Sequence, residues 1–104
     1  MIIQFNTDNN IEGSERLNEY FTTTLSESLN RFSNQITRLE VHLTDENSNK
    51  EGQNDKRCML EARLEGIQPI AVTNNGDTIE QAVKGAVDKL KSSLDTVIGK
   101  LRNH

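Results

Sequence analysis

The chain has 104 residues, of which 33% are apolar and 27% charged, with a formal net charge of −4. That length accommodates one domain and no second core, no stretch approaches the roughly eighteen apolar residues a membrane helix needs, and the acidic balance argues against a purely electrostatic nucleic-acid binder. A single Cys excludes an internal disulfide and fits a reducing cytoplasm, and with no Trp, three Phe and one Tyr the core must be mainly aliphatic.

The first residues, Met1-Ile2-Ile3-Gln4-Phe5, have no basic flank and no small-residue cleavage site, so they read as a strand and not as a signal peptide. Ile3 and Phe5 fall on one side of it. Thr7 to Gly13 is polar and turn-rich. Leu17, Tyr20, Phe21, Leu25, Leu29 and Phe32 then recur at helical spacing. Thr22-Thr23-Thr24 are poor helix formers, so packing of the apolar stripe must hold this helix.

After Ser33-Asn34-Gln35 the period changes to two. Leu39, Val41 and Leu43 face one way, and Arg38, Glu40, His42 and Thr44 the other, as in a half-buried strand. The segment 45–55 (DENSNKEGQND) has no apolar residue and reads as a flexible loop. Alternation resumes at Cys58, Leu60, Ala62 and Leu64, opposite Arg57, Met59, Glu61 and Arg63. A turn at Glu65 to Gln68 leads to a fourth strand, Pro69 to Thr73, with Pro69 at its start where the missing N–H matters least. Asn74-Asn75-Gly76 is read as the turn into the last element.

That element is the longest. Ile79, Ala82, Val83, Ala86, Val87, Leu90, Leu94, Val97, Ile98 and Leu101 predict one helix from Thr78 to Leu101, with Asp77 as its N-cap and Glu80 three residues later. Lys84, Lys89, Lys91 and Lys100 lie off the stripe. Val97, Ile98 and Leu101 carry it past what the sheet is expected to cover, which makes the helix end a candidate dimer or partner contact. The order β-α-β-β-β-α predicts an α+β two-layer sandwich, a four-stranded sheet with both helices on one face, in a single domain spanning residues 1–104.

Little in the chain supports catalysis. His42 lies on a polar strand face, His104 is terminal, and Cys58 alternates with Leu60 and Ala62 as a buried residue does. One Cys and two separated His do not form a zinc site, the acidic loop lacks EF-hand spacing, and no Gly pattern cradles phosphate. The chain is read as a non-enzyme without metal or cofactor. The basic residues that remain admit two readings, a solvated face interleaved with Asp88 and Asp95 or a phosphate-binding face. Lys100 and Arg102 also complement the helix dipole with no partner.

Several segments together resemble the ribosome hibernation-promoting factor family, also called ribosome-associated inhibitors or sigma-54 modulation proteins. Leu17-Asn18-Glu19-Tyr20 with Leu25, Leu29 and Arg31-Phe32 is similar to the family's first helix. Ile36-Thr37-Arg38-Leu39-Glu40-Val41-His42-Leu43 is similar to its second strand, Leu60-Glu61-Ala62-Arg63-Leu64 to its third, and Ala86-Val87-Asp88-Lys89-Leu90-Lys91-Ser92-Ser93-Leu94 to its second helix. The resemblance implies a double-stranded-RNA-binding-domain-like fold and binding to the small ribosomal subunit in the channel of mRNA and tRNA. Translation would then be silenced in slow growth by occlusion, through basic residues that meet ribosomal RNA phosphates.

The residues carried over for that role are Arg31, Arg38, Lys84, Lys89, Lys91, Lys100 and Arg102, with Lys56 and Arg57 as weaker candidates. Longer members add a C-terminal dimerisation domain, so the expectation here is the short form. Where the family has a dense basic cluster this chain has Asp95, Thr96, Val97 and Ile98, and at often-basic positions of the first helix it has Thr24 and Ser28. These departures predict ribosomal RNA binding that is weaker or differently placed than in a typical member, or absent. The alternative is a divergent member acting as a protein-interaction or dimerisation module.

Overall fold

The computed structural model describes residues 1–8, 14–45 and 55–102, with the side chains of Ser14 and Arg102 outside the description. The polar segments 9–13 and 46–54, read above as turn and loop, lie outside the described residues, as does His104. The elements are β1 (Ile2–Thr7), α1 (Ser14–Ser28), a 3-10 turn (Asn30–Phe32), β2 (Ile36–Asp45), β3 (Lys56–Leu64), β4 (Ile70–Gly76) and α2 (Ile79–Arg102). The sheet runs β1-β2-β3-β4, with β1 parallel to β2 and the other pairs antiparallel. This is the α+β order the patterning predicts.

Strand alternation decides which face the helices cover. Leu39, Val41 and Leu43 of β2 and Cys58, Leu60, Ala62 and Leu64 of β3 are buried in one cluster. The same cluster holds Phe21, Leu25 and Leu29 of α1 and Ala82, Val83, Ala86, Val87, Leu90, Leu94 and Ile98 of α2, so both helices pack on that face. Arg38, Glu40, His42, Arg57, Met59 and Glu61 alternate out of it. Ile36 is buried although its parity is opposite to that of Leu39. The register shifts between Ile36 and Arg38, and this irregularity lets both residues turn inward. The Thr37 hydroxyl donates to the Arg63 carbonyl at 2.9 Å there.

The threonine run in α1 behaves as its chemistry dictates. Thr23 and Thr24 hydroxyls donate back to the carbonyls of Glu19 and Tyr20, four residues earlier. Burial of Phe21, Leu25 and Leu29 below them supplies what propensity does not.

Two local expectations are corrected. Asn74-Asn75-Gly76 is the end of β4 and not a turn, pairing with Cys58, Arg57 and Lys56. The Asn74 amide donates to the carbonyls of Gln81 and Ala82, so a polar residue in the strand satisfies the first turns of α2. A Cβ at Gly85 would collide with that amide, and one at Gly76 would lie 2.8 Å from the Ala82 backbone nitrogen. The glycines are where strand and helix meet. Secondly, the N-cap is Thr78 and not Asp77. The Thr78 hydroxyl accepts the Gln81 N–H at 3.1 Å, while the Gln81 side chain accepts the Asp77 N–H at 3.0 Å.

Cys58 has no solvent exposure, and burial pushes its thiol from an ordinary 9.0 up to about 12. Because the folded-state value is raised, its contribution to stability is complete below pH 9 and is lost as pH rises from 9 towards 12. Ellman's reagent at pH 8 is therefore expected to leave the native thiol unmodified and to label it once denaturant unfolds the chain. Urea midpoints should fall between pH 8 and pH 11 by more than those of Cys58→Ala. Rapid labelling of native protein would contradict the burial.

Candidate nucleic-acid interface

The structure separates the nine candidate cations by what already occupies them. Arg31, just after α1, makes a 2.8 Å ion pair with Asp95 of α2 and lies 4.3 Å above the Phe32 ring. Arg38 sits on the open sheet face, 4.0 Å from Glu40, with its Nε buried and unbonded. Arg63 on the same face pairs with Glu40 and Glu61, both at 3.1 Å. Lys56 sits between Asp45 and Asp55, at 3.2 and 3.0 Å. Its pKa is raised first by the Asp55 hydrogen bond, against desolvation, with Asp45 adding to the rise. Asp55 is almost fully buried, so Lys56 is its counter-charge. Arg57 is exposed and already has an interaction partner.

On α2 the lysines fall into two sets, because each residue turns the helix about 100°. Lys89 points towards the β4 edge and donates to the Thr73 carbonyl at 2.8 Å. Lys100 lies on nearly the same side, exposed. Lys84 and Lys91 are seven residues apart, about 10 Å along the axis, and both line the groove between α1 and α2. Among the described residues, Lys84, Lys91 and Lys100 make no ion pair or hydrogen bond, and Arg102 lies outside the side-chain description. Among the described side chains, the free cations of the candidate set are thus three lysines of one helix.

The groove has a volume of about 360 Å³. Phe21, Val83 and Val87 contribute its apolar lining, Thr24 and Ser28 its α1 side, and Glu80 and Asp88 sit beside the lysines on α2. Tyr20 also lines it. The sequence pattern places Tyr20 in the buried stripe, yet it is 55% exposed and stands edge-to-face with Phe21, centroids 5.0 Å apart. Consecutive helical residues are about 100° apart, so Tyr20 and Phe21 cannot both face the core centre. That spacing was the available signal.

The apolar helix end also differs from its reading. Ile98 is buried in the protein's own core, and only Leu101, 54% exposed, remains clearly outside it. No group of three or more metal-ligating side chains occurs among the described residues.

Residues 3–102 match the family model described as sigma 54 modulation protein / S30EA ribosomal protein. The fold is similar to the Thermus thermophilus Protein Y N-terminal domain, with a TM-score of 0.72 and 18% identity over 93% of this chain and 99% of that one. It is also similar to a ribosomal subunit interface protein from Coxiella burnetii, with a TM-score of 0.70 and 19% identity over 95% and 99%. At such identities the likeness is one of fold. No curated protein sequence matches significantly.

Proposed function

Since the chain belongs to the sigma 54 modulation protein / S30EA ribosomal protein family, we propose that it binds the small ribosomal subunit and occludes the channel of mRNA and tRNA, silencing translation in slow growth or stress. The similar folds include one named for the ribosomal subunit interface, which supports a ribosomal site of action. The observation that carries the reading is the pair of unoccupied ammonium groups, Lys84 and Lys91, on one face of α2 beside the inter-helix groove. Occlusion requires no bond chemistry, only a shape that fills the channel and cations that hold it there.

The net charge of −4 does not prevent this. At physiological ionic strength the screening length is about 8 Å, so phosphates against α2 respond to its five basic and three acidic residues more than to remote carboxylates. The action is placed in the cytoplasm, where ribosomes work. No helix among the described residues is long and apolar enough to cross a membrane.

Three free lysines imply modest, salt-sensitive affinity. Co-sedimentation with purified small subunits across a salt series should give a log–log slope of about −2 to −3, since each phosphate contact contributes roughly 0.7 to 0.9. A protein that stays at the top of the gradient at low salt, with subunits in excess, would refute the proposal. The alternative, a dimerisation module built on the helix end, is less favoured because Ile98 belongs to the protein's own core.

A further inference from the structure

We infer that the groove between α1 and α2 seats a single unpaired RNA nucleotide, its base against Tyr20 and its phosphates on Lys84 and Lys91. The inference rests on the ribosomal reading for the source of that nucleotide.

Three observations support it. Tyr20 is the chain's one tyrosine, more than half exposed at a groove whose apolar lining is Phe21, Val83 and Val87, and its ring packs edge-to-face on Phe21. An exposed aromatic beside free cations is the combination that binds unpaired bases, because every base has a face to stack and a phosphate to neutralise. Next, the α1 side of the groove is formed by the small side chains Thr24 and Ser28, with no cation to fill it. This leaves about 360 Å³, at the low end of the ~300–1,000 Å³ range of ligand pockets. Finally, the α2 side is close to neutral, with Glu80 and Asp88 alongside Lys84 and Lys91. These carboxylates offset part of each lysine's attraction for a phosphate, so full affinity requires stacking in addition to phosphate contact. A duplex does not meet this requirement, since its bases are already stacked on each other.

The sequence supplies a direct probe. With no Trp and one Tyr, intrinsic fluorescence reports on Tyr20 alone. Titration with hexaadenylate should quench that emission saturably, whereas a blunt twelve-base-pair RNA duplex and inorganic phosphate should not. On small subunits, Tyr20→Ala should weaken binding by roughly 5- to 150-fold, the range for loss of one base–aromatic stack. The salt slope should be unchanged, and Tyr20→Phe should bind within about twofold of wild type.

Wild-type binding to subunits with neither quenching nor a Tyr20→Ala effect would overturn the inference and leave the ribosomal reading standing. Weakened subunit binding without quenching by hexaadenylate would assign the groove to a ribosomal protein segment, and would overturn it as well. Failure of the wild type to bind subunits would remove the ribosomal reading itself, whatever the oligonucleotide does.

Discussion

Replacing Lys84 and Lys91 together with glutamate is expected to abolish co-sedimentation with the small subunit while leaving the thermal unfolding midpoint nearly unchanged. Both halves of the expectation come from the same fact. Neither ammonium makes an ion pair or hydrogen bond among the described residues, so the fold loses no contact when they go. Surface substitutions of that kind usually stay within about 0.5 kcal/mol. For binding, a charge pair at 4 Å in water is worth about 1 kcal/mol. Reversal exchanges that attraction for similar repulsion at each site, so the pair of changes costs about 4 kcal/mol, roughly a thousandfold at low salt. Lys84→Ala with Lys91→Ala should act more mildly and reduce the salt slope by about two.

Charge reversals elsewhere make the comparison specific. Arg31→Glu removes the ion pair with Asp95, and Lys56→Glu leaves Asp45 and the buried Asp55 facing a third carboxylate. Both are expected to lower stability, so any loss of binding there would be mixed with loss of fold. If Lys84→Glu with Lys91→Glu still binds subunits as wild type does, the α2 face is not the contact surface. The open sheet face with Arg38, Arg57 and Arg63 would then be the next place to look.

The fold was legible in the sequence because its signals are periodic. The change from helical spacing at Leu25 and Leu29 to alternation at Leu39, Val41 and Leu43 marks the passage from α1 to β2, and burial follows that alternation into β3. What escaped the pattern was local chemistry whose partner lies elsewhere. Asn74-Asn75-Gly76 has turn composition, but its amide and its missing Cβ serve α2, which no window around residue 75 contains. The cap moved by one residue because Thr78 and Asp77 are both good caps, and Gln81 decides between them by reaching back.

The site was legible only as a set of cations. Sequence marks Arg31 and Lys91 as equally basic, yet Arg31 is occupied by a carboxylate 64 positions away and Lys91 is not. Arg63 is similarly engaged by Glu40, 23 positions earlier. Pairing is a long-range property that periodicity does not encode. The departures from the family pattern gain a physical meaning at the same points. Asp95 engages Arg31, and Thr24 with Ser28 leaves the groove open. These three residues, which looked like a loss of RNA affinity, therefore also redistribute where an RNA strand can make contact.

The apolar stripe of α2 raises the same difficulty, and a pair of truncations resolves it. Leu94→Ala is expected to destabilise the protein by about 3 kcal/mol, within the roughly 2–5 kcal/mol found for buried leucines. Leu94 is fully buried, so its removal forfeits transfer energy and leaves a cavity where α2 meets the common core. Against the roughly 5–15 kcal/mol that holds a small domain folded, the midpoint should drop by more than about 10 °C. Leu101→Ala removes the same atoms from the same stripe, seven residues further on. Leu101 is 54% exposed, so its truncation should change stability by no more than about 0.5 kcal/mol. Ile98, between them, is the last stripe residue inside the core, which places the end of the core less than one turn before Leu101. Urea melts at two protein concentrations separate the possibilities. If Leu101→Ala costs well over 1 kcal/mol and the wild-type midpoint rises with concentration, a second copy covers the helix end and the dimer reading returns. A small, concentration-independent effect ends the core at Ile98 and leaves α2 with one outward role, the face that carries Lys84 and Lys91.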